Sequence, residues 1–200
     1  MLGPVRLNLL LKYLGDVISK DGKNTKNIEA RKSKGIGVVN QIMCILNDII
    51  FGPYHFEVAP ILTKSLLLSS LLTNSEAWYG MSLAEIEQIE QVDEMLLRKI
   101  LEAGKFFPKE TLYLELGCTP IRLIIMQRRI MFLNYILNEN KESLVYRVLE
   151  EQIRNPSKNN WILNVQTNLK SLDIHLSIED IQSLSENLLW RKLKRKVLSS

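Results

Sequence analysis

The hydrophobic period changes near residue 20, and this constrains the fold more than any other feature. Over residues 4–19, Val5, Leu7, Leu9, Leu11, Tyr13 and Val17 alternate with Arg6, Asn8, Lys12 and Asp16. That spacing predicts a half-buried strand. Asp21-Gly22 supplies a turn signal to end it. From residue 24 the apolar positions recur at three- and four-residue steps. Ile28, Gly35, Val39, Ile42, Leu46 and Ile49 define one helix over 24–50. After a break at Phe51-Gly-Pro-Tyr, a second helix runs from His55 or Pro60 to Leu72, with a run so apolar that a central position is expected. Ser82 and Glu85 form a capping box for a third helix, with Leu83, Ile86, Ile89, Val92, Leu96 and Ile100 on one stripe. Glu94 pairs with Arg98 on it, and Gly104 closes it. Further helices are expected over Pro108–Leu116, from Thr119-Pro120 to Asn138, over Glu142–Arg154, over Lys158–Leu172, and from a Ser177/Asp180 cap to about Leu198. The expected fold is mainly α: a bundle of six to eight helices with one or two short N-terminal β-strands.

The 200 residues are 46% apolar and 24% charged, which excludes wholesale disorder. Cys44 and Cys118 are too few for a disulfide framework and indicate a reducing compartment. Both read as buried structural cysteines. Val58–Leu72 is interrupted by Pro60 and Lys64, and the later apolar helix carries Arg122, Arg128 and Arg129, so no membrane partner is expected.

Charge is unevenly placed. Residues 12–34 hold seven Lys/Arg and three Asp/Glu; residues 85–102 hold six acids and two bases. The segment Arg191 to Lys196 holds five bases and no acid. At about 100° per residue, Lys23, Lys26 and Lys34 fall within an arc of roughly 80° opposite the apolar stripe, while Lys32 lands at its rim. Such lysines read phosphates without sequence choice. Arg191, Lys192, Lys194, Arg195 and Lys196 form a second basic cluster, which also fits a nuclear localisation patch. The plain alternative is that both faces carry charge for solubility.

Catalytic constellations are missing from the sequence. Asp16, Asp21, Asp48, Asp93, Asp173 and Asp180 lie in separate elements, with no Asp-Asp pair to hold catalytic cations. The adjacent acids Glu150-Glu151 and Glu179-Asp180 read as solvated faces or caps. Cys44, Cys118, His55 and His175 lack zinc-ligand spacing, and no Gly-rich phosphate loop occurs. No catalytic residue, metal or cofactor is expected.

Some segments are familiar as a series. Lys12-Tyr-Leu-Gly-Asp-Val-Ile-Ser-Lys-Asp-Gly22 resembles the end of the palm in reverse transcriptases of non-LTR (LINE-type) retrotransposons. Asn27-Ile-Glu-Ala-Arg31 and the helix to Asn47 resemble the first thumb helix. Leu62 to Tyr79, ending Ser75-Glu-Ala-Trp-Tyr-Gly80, and Glu115-Leu-Gly-Cys-Thr-Pro-Ile-Arg122 resemble the segments that follow. The resemblance covers about residues 10–155. It implies four regions: the end of the palm at 1–22, a thumb-like bundle at 23–104, a post-thumb region at 105–155, and C-terminal helices with a basic end at 156–200. It implies a primer grip at Lys12, Tyr13, Leu14 and Gly15, and phosphate contacts from Lys23, Lys26 and Lys34. In the family the catalytic carboxylates precede the grip, so this chain is expected to be a non-catalytic fragment of an RNA-directed DNA polymerase, inactive alone. Its implied partners are an RNA–DNA or other duplex and the palm and fingers, in the nucleus and/or cytoplasm. The alternative is a helical interaction or scaffold domain using the acidic third helix. Without a palm, the strand at residues 10–19 is expected to pair with residues 4–8 or dock on the helices.

Overall fold

The computed structural model describes residues 10–13, 16–19, 24–48, 54–156, 160–171 and 175–183. Two short strands, β1 (Leu10–Tyr13) and β2 (Asp16–Ser19), pair antiparallel with Leu10 opposite Ser19 and Tyr13 opposite Asp16. These are two strands, within the one or two expected, and they pair with each other; residues 4–8, the expected partner of the stretch 10–19, lie outside the described residues. The fold-back sets Val17 opposite Lys12 and so breaks the alternation read from sequence. Helices follow: α1 (Thr25–Asp48), α2 (Tyr54–Leu62), a π-helical stretch Thr63–Leu68, and α3 (Ser69–Leu71). Then come α4 (Leu83–Ile100), α5 (Lys109–Glu115), α6 (Ile121–Leu137), α7 (Leu144–Arg154), α8 (Trp161–Ser171) and α9 (Ile178–Ser183). The chain is mainly α. With residues 54–71 counted as one continuous rod, the described residues form eight helices. No described helix is long and apolar enough to cross a membrane.

The chain divides into two units, one drawn from Met1–Thr73 and Ser82–Pro120, the other from Asn74–Met81 and Ile121–Ser200. In the first unit α1 buries Ile28, Gly35, Val39, Ile42 and Leu46, the stripe its period requires. Ile49 lies outside the described residues. This face packs on α4, which runs parallel to α1: Thr25 meets Glu85, Lys32 meets Gln91 and Lys99 meets Asn40. Gly35 permits the contact, because a β-carbon there would stand 2.5 Å from Leu71 Cδ2 and 3.0 Å from Val92 Cγ1. Each large aliphatic side chain buried along this seam contributes about 1.5–3 kcal/mol.

The second helix begins at Tyr54, one residue from the earlier of its two expected starts, and carries Pro60 inside it. Proline has no N–H, so Pro60 cannot make the regular helical bond to the Phe56 carbonyl. Hydroxyls then compete for carbonyls: Thr63 Oγ1 donates to Ala59 O (2.8 Å), Ser65 Oγ to Ile61 O (2.8 Å) and Ser69 Oγ to Ser65 O (2.6 Å). This loosened ladder accommodates the wide π turn. The expected central position holds for one side of the rod: Leu67, Leu71 and Leu72 are fully buried, while Ile61 is 64% exposed and Phe56 and Leu66 face solvent.

α4 opens with the expected capping box, with both Ser82 and Glu85 bonds made. Leu83 stays exposed rather than joining the buried stripe. Nor does Gly104 close the helix. The Ala103 N–H bonds Arg98 O (2.9 Å) and the Glu102 N–H bonds Lys99 O, a Schellman closure with Glu102 at φ +50°. α5 ends the same way with Gly117, at φ +59°, as expected.

The second unit centres on α6, through Met126, Ile130, Leu133 and Ile136, against Leu149 of α7, Trp161, Ile162, Val165 and Leu169 of α8, and Ile181 of α9. α6 begins at Ile121, and α8 at Trp161 rather than Lys158. Phe132 meets Trp161 edge-on at 5.8 Å. Segment 74–81 is held on this core. Arg129, fully buried, donates to Trp78 O (2.9 Å) and Asn164 Oδ1 (2.8 Å), and Trp161 Nε1 donates to Glu76 O (3.2 Å). Ser177 and Asp180 cap α9 as expected. The expected continuation to Leu198 lies outside the described residues.

Candidate nucleic-acid interface

The apolar stripe of α1 dictates its outward face. With Ile28, Val39 and Ile42 turned inward, Lys26 and Lys34 project to solvent. Among the described residues neither forms an ion pair. Between them stand exposed Ala30 and Ser33, and one turn past Lys34 lies exposed Gly37, where an added β-carbon would meet nothing within 4 Å. Lys32 sits half-buried at the α1–α4 seam, its Nζ 3.5 Å from Gln91 Oε1, which is the rim position its wheel angle predicts. Lys23 lies outside the described residues, as do Arg191, Lys192, Lys194, Arg195 and Lys196.

The expected grip falls on the hairpin. Lys12 and Tyr13 end β1, while Leu14 and Gly15 lie outside the described residues. One buried cluster ties this hairpin to α1. Arg31 Nη2 bonds Asp16 Oδ1 (2.5 Å), and Asn27 Nδ2 bonds the same oxygen (2.9 Å). Asn27 Oδ1 accepts the Val17 N–H (3.1 Å) and Arg31 Nε (3.3 Å). Arg31 Nη1 meanwhile donates to Ser70 O and Leu71 O, two carbonyls at the end of the 54–71 rod. One guanidinium therefore fixes hairpin, α1 and rod together. Sequence reading missed it, although Asn27 and Arg31, four apart at the edge of the apolar arc, were the signal.

A second polar cluster was also missed. Glu90 and Asp93 are buried on α4, not solvated. Glu90 Oε2 accepts Lys109 Nζ of α5 (2.9 Å), with Glu94 Oε2 at 4.0 Å. Burial pushes the Asp93 carboxyl up to about 7; the Tyr113 hydroxyl beside it pulls the other way, and the Glu90 charge adds to the rise. The two groups meet outside good hydrogen-bonding geometry, so Asp93 Oδ1 and the Tyr113 hydroxyl lack full partners. Burial, reinforced by Asp93, also raises the Cys118 thiol to about 11, which keeps it an unreactive thiol at neutral pH. Cys44, expected buried, is exposed on α1. Burial lowers Arg129 to about 10.

Among the described residues no group of three His, Cys, Asp or Glu side chains is placed to hold a metal ion. What the first unit offers is a cationic, sterically open helix face with a strand hairpin fixed to its start. Comparison with protein-family models, characterised proteins and solved structures finds no match for this chain.

Proposed function

We propose that this chain binds template–primer nucleic acid, without sequence choice, as the primer-grip, thumb and post-thumb part of a non-LTR reverse transcriptase. It works inside the cell and supplies no catalytic carboxylates of its own. The observation that carries the reading is the exposure of Lys26 and Lys34 on the outward side of α1, on the helix to which Arg31 ties the Lys12–Tyr13 hairpin. Two unpaired ammonium groups beside small side chains suit a phosphate backbone laid along the helix. The palm and fingers of such an enzyme are its protein partners.

The test is a gel shift of an RNA–DNA hybrid with the purified chain. Retardation at low salt is expected, weakened alike for every sequence by the triple variant Lys23→Glu, Lys26→Glu, Lys34→Glu. Undiminished binding by the variant rejects the assigned face.

A second reading, a helical interaction domain, draws on α7. Leu144 is 76% exposed, and exposed Val145 and Val148 lie within about 100° of it on the same side of the helix. The acidic helix once expected to serve a partner is less available, since Glu90 and Asp93 are buried. Indifference to the hybrid, with concentration-dependent association, favours this second reading.

A further inference from the structure

We propose that the loop joining α4 to α5 is a stacking site for an unpaired strand of nucleic acid, with Phe106 under a base and Lys99 and Lys105 on adjacent phosphates. The proposal rests on the reading above only for the class of ligand. Phe106 is 97% exposed, the extreme among the large apolar side chains described. It does not sit on a loose segment. Arg98 Nη1 donates to Gly104 O (2.7 Å), the Phe107 N–H bonds Gly104 O (3.0 Å), and the Schellman closure of α4 fixes the preceding turn. An aromatic ring held in water by this many bonds is a preformed platform, and each stacked base needs only such a π-face.

The charges around it are sorted to match a polyanion. Lys105 is exposed next to the ring, and an open groove of about 620 Å³ beside the loop is lined by Gln91, Met95, Lys99 and Lys105. Lys99 Nζ reaches Asn40 Oδ1 of α1 (3.3 Å), so one lysine of the groove stands at the seam with that helix. Arg98 is neutralised by Glu94 at 2.8 Å, and Lys109 turns inward to Glu90, so neither competes for the ligand. Glu94, held by Arg98, and Glu102 are the opposing charges in the groove lining. Basic side chains interleaved with an exposed aromatic also suit an anionic lipid surface, so the test carries that arm.

The experiment is fluorescence anisotropy of the full chain with a labelled oligothymidine of about ten nucleotides, a length one small binding groove spans. Alongside run a blunt RNA–DNA hybrid and vesicles of phosphatidylcholine with phosphatidylserine. Phe106→Ala is expected to weaken the single strand about tenfold, the loss of one stacked base, while Phe106→Trp stays within about twofold. Lys99→Glu with Lys105→Glu weakens it in a salt-dependent way, and Glu102→Gln tightens it. The blunt hybrid, read by α1, is unchanged by Phe106→Ala. No single-strand binding, indifference to Phe106→Ala, or Phe106-dependent adsorption to vesicles alone overturns the proposal. Single-strand binding without hybrid binding sustains it and overturns the α1 reading instead.

Discussion

Gly35 and Glu102 place opposite demands on their backbones. At Gly35 the α1–α4 seam leaves no room for a methyl group, because Val92 Cγ1 and Leu71 Cδ2 already occupy the space. Gly35→Ala is expected to cost about 1–2 kcal/mol by urea unfolding, overpacking outweighing the helix propensity of alanine. Gly37→Ala, with open space around it, is expected to stabilise by up to about 1 kcal/mol. At Glu102 a side chain occupies the left-handed position that closes α4. Glu102→Gly is expected to raise stability by about 1 kcal/mol in the same assay, since glycine bears no β-carbon penalty there. In sequence alone, Gly35 and Gly37 each read as a weak point of the helix or as a site of close approach. Which of them was the close approach depended on where Leu71 and Val92 arrive, and the helical period of α1 does not contain that.

At the scale of elements, two polar clusters decide how helices dock. Between α4 and α5 the buried Asp93 prefers its neutral form in the folded state. Its folded pKa, about 7, stands above its unfolded value of 3.8. Between those values the native state holds a proton the unfolded chain releases, so this contribution to stability is complete below about pH 4 and is lost as pH rises through 7. Asp93→Asn keeps the shape without the charge. Thermal melts should show it more stable than the parent at pH 8, with the gap closing toward pH 4; an equal gap at both values rejects a buried, protonated Asp93. Between hairpin and α1, Asp16→Asn leaves the Arg31 guanidinium without its carboxylate and is expected to cost about 2 kcal/mol. It should also speed amide exchange in β1 and β2 more than in α4. The helical stripes and both capping boxes were legible because they are local: Ser82–Glu85 and Ser177–Asp180 lie three residues apart. The docking clusters join residues distant in sequence, as Arg31 joins Ser70 and Glu90 joins Lys109. Their acids looked like an ordinary solvated face.

For the whole molecule, a hairpin, a cationic helix face and an exposed aromatic loop belong to the first unit. Of the eight basic residues the sequence assigned to nucleic acid, Lys26 and Lys34 fall on described helix and are exposed. Their orientation was legible because a buried stripe of period 3.6 fixes the opposite face as well. Their ligand was not, since lysines placed for solubility have the same spacing. The most direct test is therefore the salt dependence of binding to an RNA–DNA hybrid, measured for the parent chain and for Lys26→Glu with Lys34→Glu. The account predicts a linear fall of log affinity with log salt whose slope is shallower in the variant by roughly two, one for each phosphate contact removed, with no change in sequence preference. Equal slopes, or a parent chain that ignores the hybrid at low salt, contradict it.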